Sequence, residues 1–196
     1  MQLKDVLHNR FTPLSQHELQ QVWHWRNLPH IRANMHNDRL ISWPEHQAWF
    51  KQLQQDSQKT YLILWQNNRP IGTLYFTLIA DSTLEWGCYI GDQQVWPGSG
   101  LLLEIAALDY AARCHSILTL QAEVLSFNHS VIKMHTLFDY QLINQGDYAG
   151  VRNNQAYSVM TFNYQLADWR KNRSNILAKI PKQIVAAANL IEFKHE

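Results

Sequence analysis

The chain has 196 residues, 46% apolar and 17% charged, with a formal charge of +1. This is one domain's length with ample core material, too apolar for a disordered polymer, and without the basic stripe that nucleic acid requires. Cys88 and Cys114 make no disulfide framework or metal pair, the start Met1-Gln2-Leu3-Lys4-Asp5-Val6 lacks a signal-peptide core, and no apolar run reaches the ~20 residues that span a bilayer, so a cytoplasmic protein without metal, membrane or nucleic-acid partners is expected.

Residues 9–14 read as an opening strand that ends at Pro13. Ser15 and Glu18 have capping-box spacing, and Leu19, Val22, Trp23 and Arg26 carry a helical period up to Pro29. A second segment, 31–35, leads to Ser42-Trp43-Pro44-Glu45, a helix start with Pro in its first turn. Trp49, Phe50 and Leu53 then mark an apolar stripe. The period changes over 61–65, a continuous apolar run closed by the turn residues Asn67-Asn68-Arg69-Pro70. Two further strands, 71–80 and 83–90, join at Asp81-Ser82. After Pro97-Gly98-Ser99-Gly100, a helix is predicted with Leu101, Ile105, Leu108 and Ala112 on one face. A strand over 118–125, a helix opened by Asn128, and strands near 141–144 and 156–165 complete the core. The order predicts an α/β fold with a mixed sheet. Residues 169–173 read as a polar junction, dividing a domain at 1–168 from a helical extension at 169–196 broken at Pro181.

The glycine turn is the most informative stretch. A helix start offers amide N–H groups without internal partners and a dipole that favours anions. The N–H groups of Gly98, Ser99, Gly100 and Leu101 therefore suit a pyrophosphate, while a plain helix start competes. No Gly-Lys-Ser/Thr follows, and the third position of a dinucleotide fingerprint is Leu103.

In element order and in two motifs, residues 14–166 resemble the GCN5-related N-acetyltransferase superfamily. Gly98 and Gly100 match that family's Arg/Gln-x-x-Gly-x-Gly/Ala turn, with Val95 at the Arg/Gln position and Gln93 or Gln94 beside it. Asn128, Val131, His135, Asp139 and Tyr140 keep the spacing of its second motif. The resemblance implies a mostly antiparallel mixed sheet flanked by helices and splayed at the fourth and fifth strands. Acetyl-coenzyme A would lie in that gap, held by Cys88, Tyr89 and Ile90, by the turn with Val95, and by Asn128.

The strings Trp25-Arg26-Asn27, Ile31-Arg32, Met35, His46, Trp49-Phe50, Pro70-Ile71-Gly72, Glu85-Trp86-Gly87, Leu103-Glu104 and Glu123-Val124-Leu125 resemble the bacterial UDP-4-amino-sugar N-acetyltransferases of pseudaminic acid biosynthesis. That implies UDP-4-amino-4,6-dideoxy-N-acetyl-β-L-altrosamine as acceptor, in a pathway serving flagellin or surface glycans. The substrate-binding candidates are Arg26, Asn27, Arg32, Met35, His46, Trp49 and Trp86. Arginines suit a diphosphate and indoles suit uracil, with core packing as the competing use of each Trp. By the same resemblance His135 takes the place of the Tyr that protonates the departing thiolate. Glu123, then Glu85, are the candidate bases for the acceptor amine. Acetylation of a protein N-terminus or another small amine, and a non-catalytic acyl-coenzyme A-binding module, are the alternatives. The extension is assigned to docking, on the domain or in a homodimer.

Overall fold

The computed structural model describes residues 8–152 and 154–194; the signal-peptide reading of the first six residues lies outside them. In chain order the elements are β1 (Asn9–Pro13), α1 (Leu19–Arg26), α2 (Pro29–Arg32), α3 (Trp43–Leu53), β2 (Lys59–Gln66), β3 (Arg69–Ala80), β4 (Thr83–Ile90) and α4 (Ser99–Arg113). Then follow β5 (Thr119–Leu125), α5 (His129–Leu137), β6 (Gln141–Asn144), β7 (Tyr148–Arg152), β8 (Gln155–Gln165), α6 (Leu166–Leu177), α7 (Lys182–Ala188) and β9 (Glu192–Phe193).

The local chemistry explains most boundaries. Asn67 and Asn68 both adopt positive φ, at 48° and 66°, which closes the tight turn between β2 and β3. Ser42 and Glu45 form a full capping box at the start of α3. Ser15 and Glu18 also bond to each other, at 2.6 Å, but they close a turn, and α1 begins only at Leu19. The short strands β7 and β9 were not anticipated from the sequence; each is added to an edge by pairing, β7 on β8 and β9 in parallel on β1.

The sheet runs β6-β8-β5-β4-β3-β2-β1-β9, with β7 attached to β8. All pairings are antiparallel except β4–β5 and β1–β9. Alternate residues of β2 enter different cores: Leu62 and Leu64 pack with α4, whereas Tyr61, Ile63 and Trp65 pack with α1 and α3. Both faces are covered, which is why this strand reads as an unbroken apolar run.

The C-terminal segment departs from its sequence reading. The expected polar junction at 169–173 lies inside α6, and Trp169 is buried against α4 and β8. The helices α6 and α7 lie on the outer side of α4, so every residue from Leu102 to Leu108 is buried and the expected one-faced helix is enclosed all round. Arg173 makes a bidentate pair with Asp109 at 2.8 Å for both bonds, and Arg170 donates to the carbonyls of Ala112, Cys114 and Ile117 past the end of α4. Among the described residues no helix is long and apolar enough to cross a membrane.

Candidate active site

The pairing of β4 with β5 stops at Trp86 and Ala122. Beyond that point the strands part, leaving the backbone of residues 87–90 without a strand partner on that side. The gap opens a cleft of about 410 Å³, with Glu85, Trp86, Cys88, Glu123, Asn128 and His135 in its wall. A second pocket of about 380 Å³ lies beside it, and Met35, Tyr75 and Tyr89 line both. The register explains this junction. Tyr75 sits opposite Gly87, and its ring occupies the space a Cβ there would need, 2.5 Å from the Tyr75 hydroxyl.

The second pocket is aromatic on one side and cationic on the other. Trp49 meets Tyr61 edge-on at 5.1 Å, and Tyr61 stacks on Tyr75 at 5.4 Å. The Tyr61 and Tyr89 hydroxyls bond to each other at 2.9 Å, and burial pushes Tyr89 up to about 12, so both remain neutral. Arg26, Arg39 and Lys59 supply positive charge, with Glu45 opposing it. Arg26 donates through Nη2 to the Asn37 carbonyl at 2.7 Å, while its buried Nη1 has no partner among the described residues. His46 is buried, stacks on Trp49 at 4.8 Å and bonds through Nε2 to the Leu19 carbonyl. Burial lowers its pKa, so it presents a neutral ring to the pocket floor.

Of the expected acceptor residues, Arg26, Met35, His46 and Trp49 line this pocket; Asn27, Arg32 and Trp86 do not. Asn27 both donates to and accepts from the Ile41 backbone, at 2.9 and 2.8 Å. Arg32 donates to the carbonyls of Asn27 and Asp38. Both polar groups are consumed in folding the 33–42 loop. Trp86 is 6% exposed and belongs to the cleft and the core beneath it.

At the glycine turn, Gly98 holds φ at 106° as the N-cap of α4, a conformation other residues rarely adopt. No acceptor among the described residues engages the N–H groups of Gly98, Gly100 or Leu101, and space is open around Gly100. Ser99 is corrected. Its N–H and hydroxyl both donate to the Trp96 carbonyl, at 3.1 and 2.8 Å, and its oxygen accepts from Gln66. Val95 is half-buried against the core and has no donor side chain, whereas Gln94 is held by Arg69 through its Oε1 and by Asp92 through its backbone N–H. Ile90 packs on the core outside the cleft wall. Asn128 caps α5 by accepting from the Val131 N–H.

The titratable groups of the cleft separate by environment. Burial, and next the charge of Glu123, raise Glu85 above the usual carboxylate range. Glu123 itself stands 3.3 Å from His36 Nε2, with its side chain 35% exposed. Burial pushes the Cys88 thiol up to about 12, which makes it inert. His135 is 2% exposed and contacts Glu104 through Nδ1 at 3.2 Å. Sequence reasoning missed Glu104 as a site residue, although an acid inside the run Leu102-Leu103-Glu104-Ile105-Ala106 was a usable signal. It also missed Tyr75, Tyr89 as a shared wall, and Lys59, which only the sheet register brings together.

No family model matches the chain. Among curated proteins it is 32% identical over 125 residues to the acetyltransferase PseH of one Campylobacter jejuni strain, covering 64% of this chain and 78% of that protein. The PseH of a second strain is 31% identical over the same length. Among solved structures, the spermidine N-acetyltransferase from Vibrio cholerae in complex with CoA and spermine superposes with a TM-score of 0.77 at 13% identity, over 83% of this chain and 98% of that one. The Campylobacter jejuni N-acetyltransferase PseH superposes with a TM-score of 0.58 at 21% identity, over 81% and 98%. These structural likenesses show the N-acetyltransferase fold.

Proposed function

Because the chain belongs to the PseH acetyltransferase family and is an acetyl-transferring enzyme, we propose that it moves the acetyl group of acetyl-coenzyme A onto the 4-amino group of a UDP-linked amino sugar, in the cytoplasm, as a step of pseudaminic acid biosynthesis. One observation carries this reading: the strand gap and the aromatic, cationic pocket meet at Met35, Tyr75 and Tyr89. A donor in the first and a nucleotide sugar in the second would bring thioester and amine together at that junction.

The residues fit the donor. The unengaged amides of Gly98, Gly100 and Leu101, with open space at Gly100, suit its pyrophosphate. The unpaired backbone of residues 87–90 suits its amide-bearing arm and supplies N–H groups for the charge that develops on the carbonyl oxygen. The acceptor's diphosphate suits Arg26, Arg39 and Lys59, and its uracil suits the face of Trp49.

Proton handling falls to three residues. Glu85, raised by burial, is a better match for an amine than an ordinary carboxylate and takes precedence over Glu123 as base. His135, in the cleft wall, donates to the departing thiolate. Incubating the purified protein with acetyl-coenzyme A and UDP-4-amino sugars, read by mass spectrometry, tests the whole reading. A gain of one acetyl group on the sugar is expected; thiol release with other amines but none with these sugars rejects the acceptor.

A further inference from the structure

We propose that Glu104 is a positioning residue for acetyl transfer, its buried carboxylate gripping His135 at Nδ1 and keeping the imidazole positively charged beneath the cleft. The inference rests on His135 as the proton donor and assigns the group that prepares it.

Glu104 lies on α4, immediately behind the cleft, and is 0% exposed. A buried ionised carboxylate is costly unless a cation accompanies it. Among the described residues its one ion-pair partner is His135, 3.2 Å away. The groups packed around the pair cannot take its proton or supply a charge. Trp86 on β4 and Phe162 on β8 flank the imidazole at 5.9 and 5.3 Å. Tyr140, which follows α5, stacks on it at 4.6 Å and is itself met edge-on by Tyr164 of β8. Burial, reinforced by the Glu104 charge, raises the Tyr140 hydroxyl well above its ordinary value and the Cys88 thiol of β4 to about 12. Both stay neutral, so a single proton is shared within the pair.

Donor groups stand beside the second oxygen of Glu104. Its second oxygen, the Tyr140 hydroxyl and the Trp86 indole N–H are each buried without a hydrogen bond of normal geometry. They are nonetheless neighbours: the hydroxyl interacts with the carboxylate on one side and the indole on the other. The Tyr140 hydroxyl is thus the donor that faces Glu104, with the Trp86 indole donating behind it, an order that supports the anion and therefore the imidazolium beside it. Nε2 of His135 makes no hydrogen bond among the described residues, and the ring forms part of the cleft wall. In the transfer step the carbon–sulfur bond breaks, its electron pair goes to sulfur, and the Nε2 proton follows. The imidazole is left neutral, its remaining proton on Nδ1 and donated to the Glu104 carboxylate.

Nitrogen-15 NMR of the wild-type protein, with His135→Asn to assign the signal, is the direct test. At neutral pH both nitrogens of His135 should be protonated; a neutral ring overturns the proposal, and this holds whether or not any variant folds. In Glu104→Gln the ring should be neutral at that pH. kcat should fall about tenfold to a hundredfold with both KM values within about twofold, and the alkaline limb of the kcat profile should move to lower pH. A variant with wild-type pH dependence overturns the positioning role. A charged imidazole in a protein that acetylates no amine overturns instead the acetyl-transfer reading on which the proposal stands.

Discussion

The Arg152 guanidinium donates to the Met35 carbonyl at 2.6 Å, across 117 residues of chain. The same side chain, 8% exposed, also reaches the carbonyls of Ala33 and His36 and stands 3.3 Å from Asp38. One cation on β7 thus closes the loop that carries Met35, which with Tyr75 and Tyr89 lines both cavities.

Arg152→Ala should free that loop. Several charge-assisted bonds are lost together, each worth about 1.5–3 kcal/mol in such settings, so a lower Tm is expected. More diagnostic is the division of kinetic effects: KM for the acceptor should rise about tenfold or more, while KM for acetyl-coenzyme A moves little. Steady-state kinetics with each substrate varied in turn checks this. Equal effects on both would disconnect the loop from acceptor binding.

The two glycines of the turn should respond in opposite ways. At Gly98 a Cβ meets the Ile184 Cδ1 at 2.7 Å and φ is 106°, so Gly98→Ala should cost about 1–2 kcal/mol from backbone conformation alone and more from the displaced Ile184. At Gly100 nothing obstructs a Cβ, and Ala is the better helix former by up to ~1 kcal/mol. Gly100→Ala should therefore hold or raise Tm yet raise KM for acetyl-coenzyme A, because the methyl occupies the approach to the free amides. Thermal melts beside donor kinetics separate the two effects. An unchanged donor KM in Gly100→Ala would move the pyrophosphate elsewhere.

The carboxylates of the cleft should be visible in pH profiles. Glu85 is raised by burial and then by Glu123, and a base must be ionised, so the acidic limb of kcat/KM should lie above the usual carboxylate range. Glu123→Gln removes a neighbouring negative charge and should move that limb to lower pH; Glu85→Gln should abolish it. Stability follows the same sign. With its folded pKa raised, Glu85 contributes fully below the unfolded value of about 4.5 and loses that contribution as pH rises through the folded value. The Tm of Glu85→Gln relative to wild type should therefore increase as pH rises from about 4.5 through the folded value.

Much of the architecture was legible because it follows from neighbours in sequence. The Asn67-Asn68 turn, the Ser42–Glu45 box, Gly98 before a helix and Asn128 at the next cap each act within four residues. The unbroken apolar run of β2 and the glycine turn before α4 then pointed to the fold. The tail was misread at 169–173 because Trp169, Arg170 and Arg173 look polar as a group, while their partners Asp109, Ala112 and Ile117 lie more than fifty residues away. Asn27 and Arg32 were read as ligands for the same reason: residue type names what a side chain can bond, not what reaches it first.

The sequence by itself determined most of the elements up to β8, their order and the family, since caps, turns and periodicity are local and motif spacing is one-dimensional. Only tertiary structure decided which polar groups remained available. It engaged Ser99 with Trp96, left the Arg26 Nη1 open, set Glu104 against His135 and joined two cavities at Tyr75 and Tyr89. Those outcomes depend on burial and on strand register, and both exist only once distant segments pack.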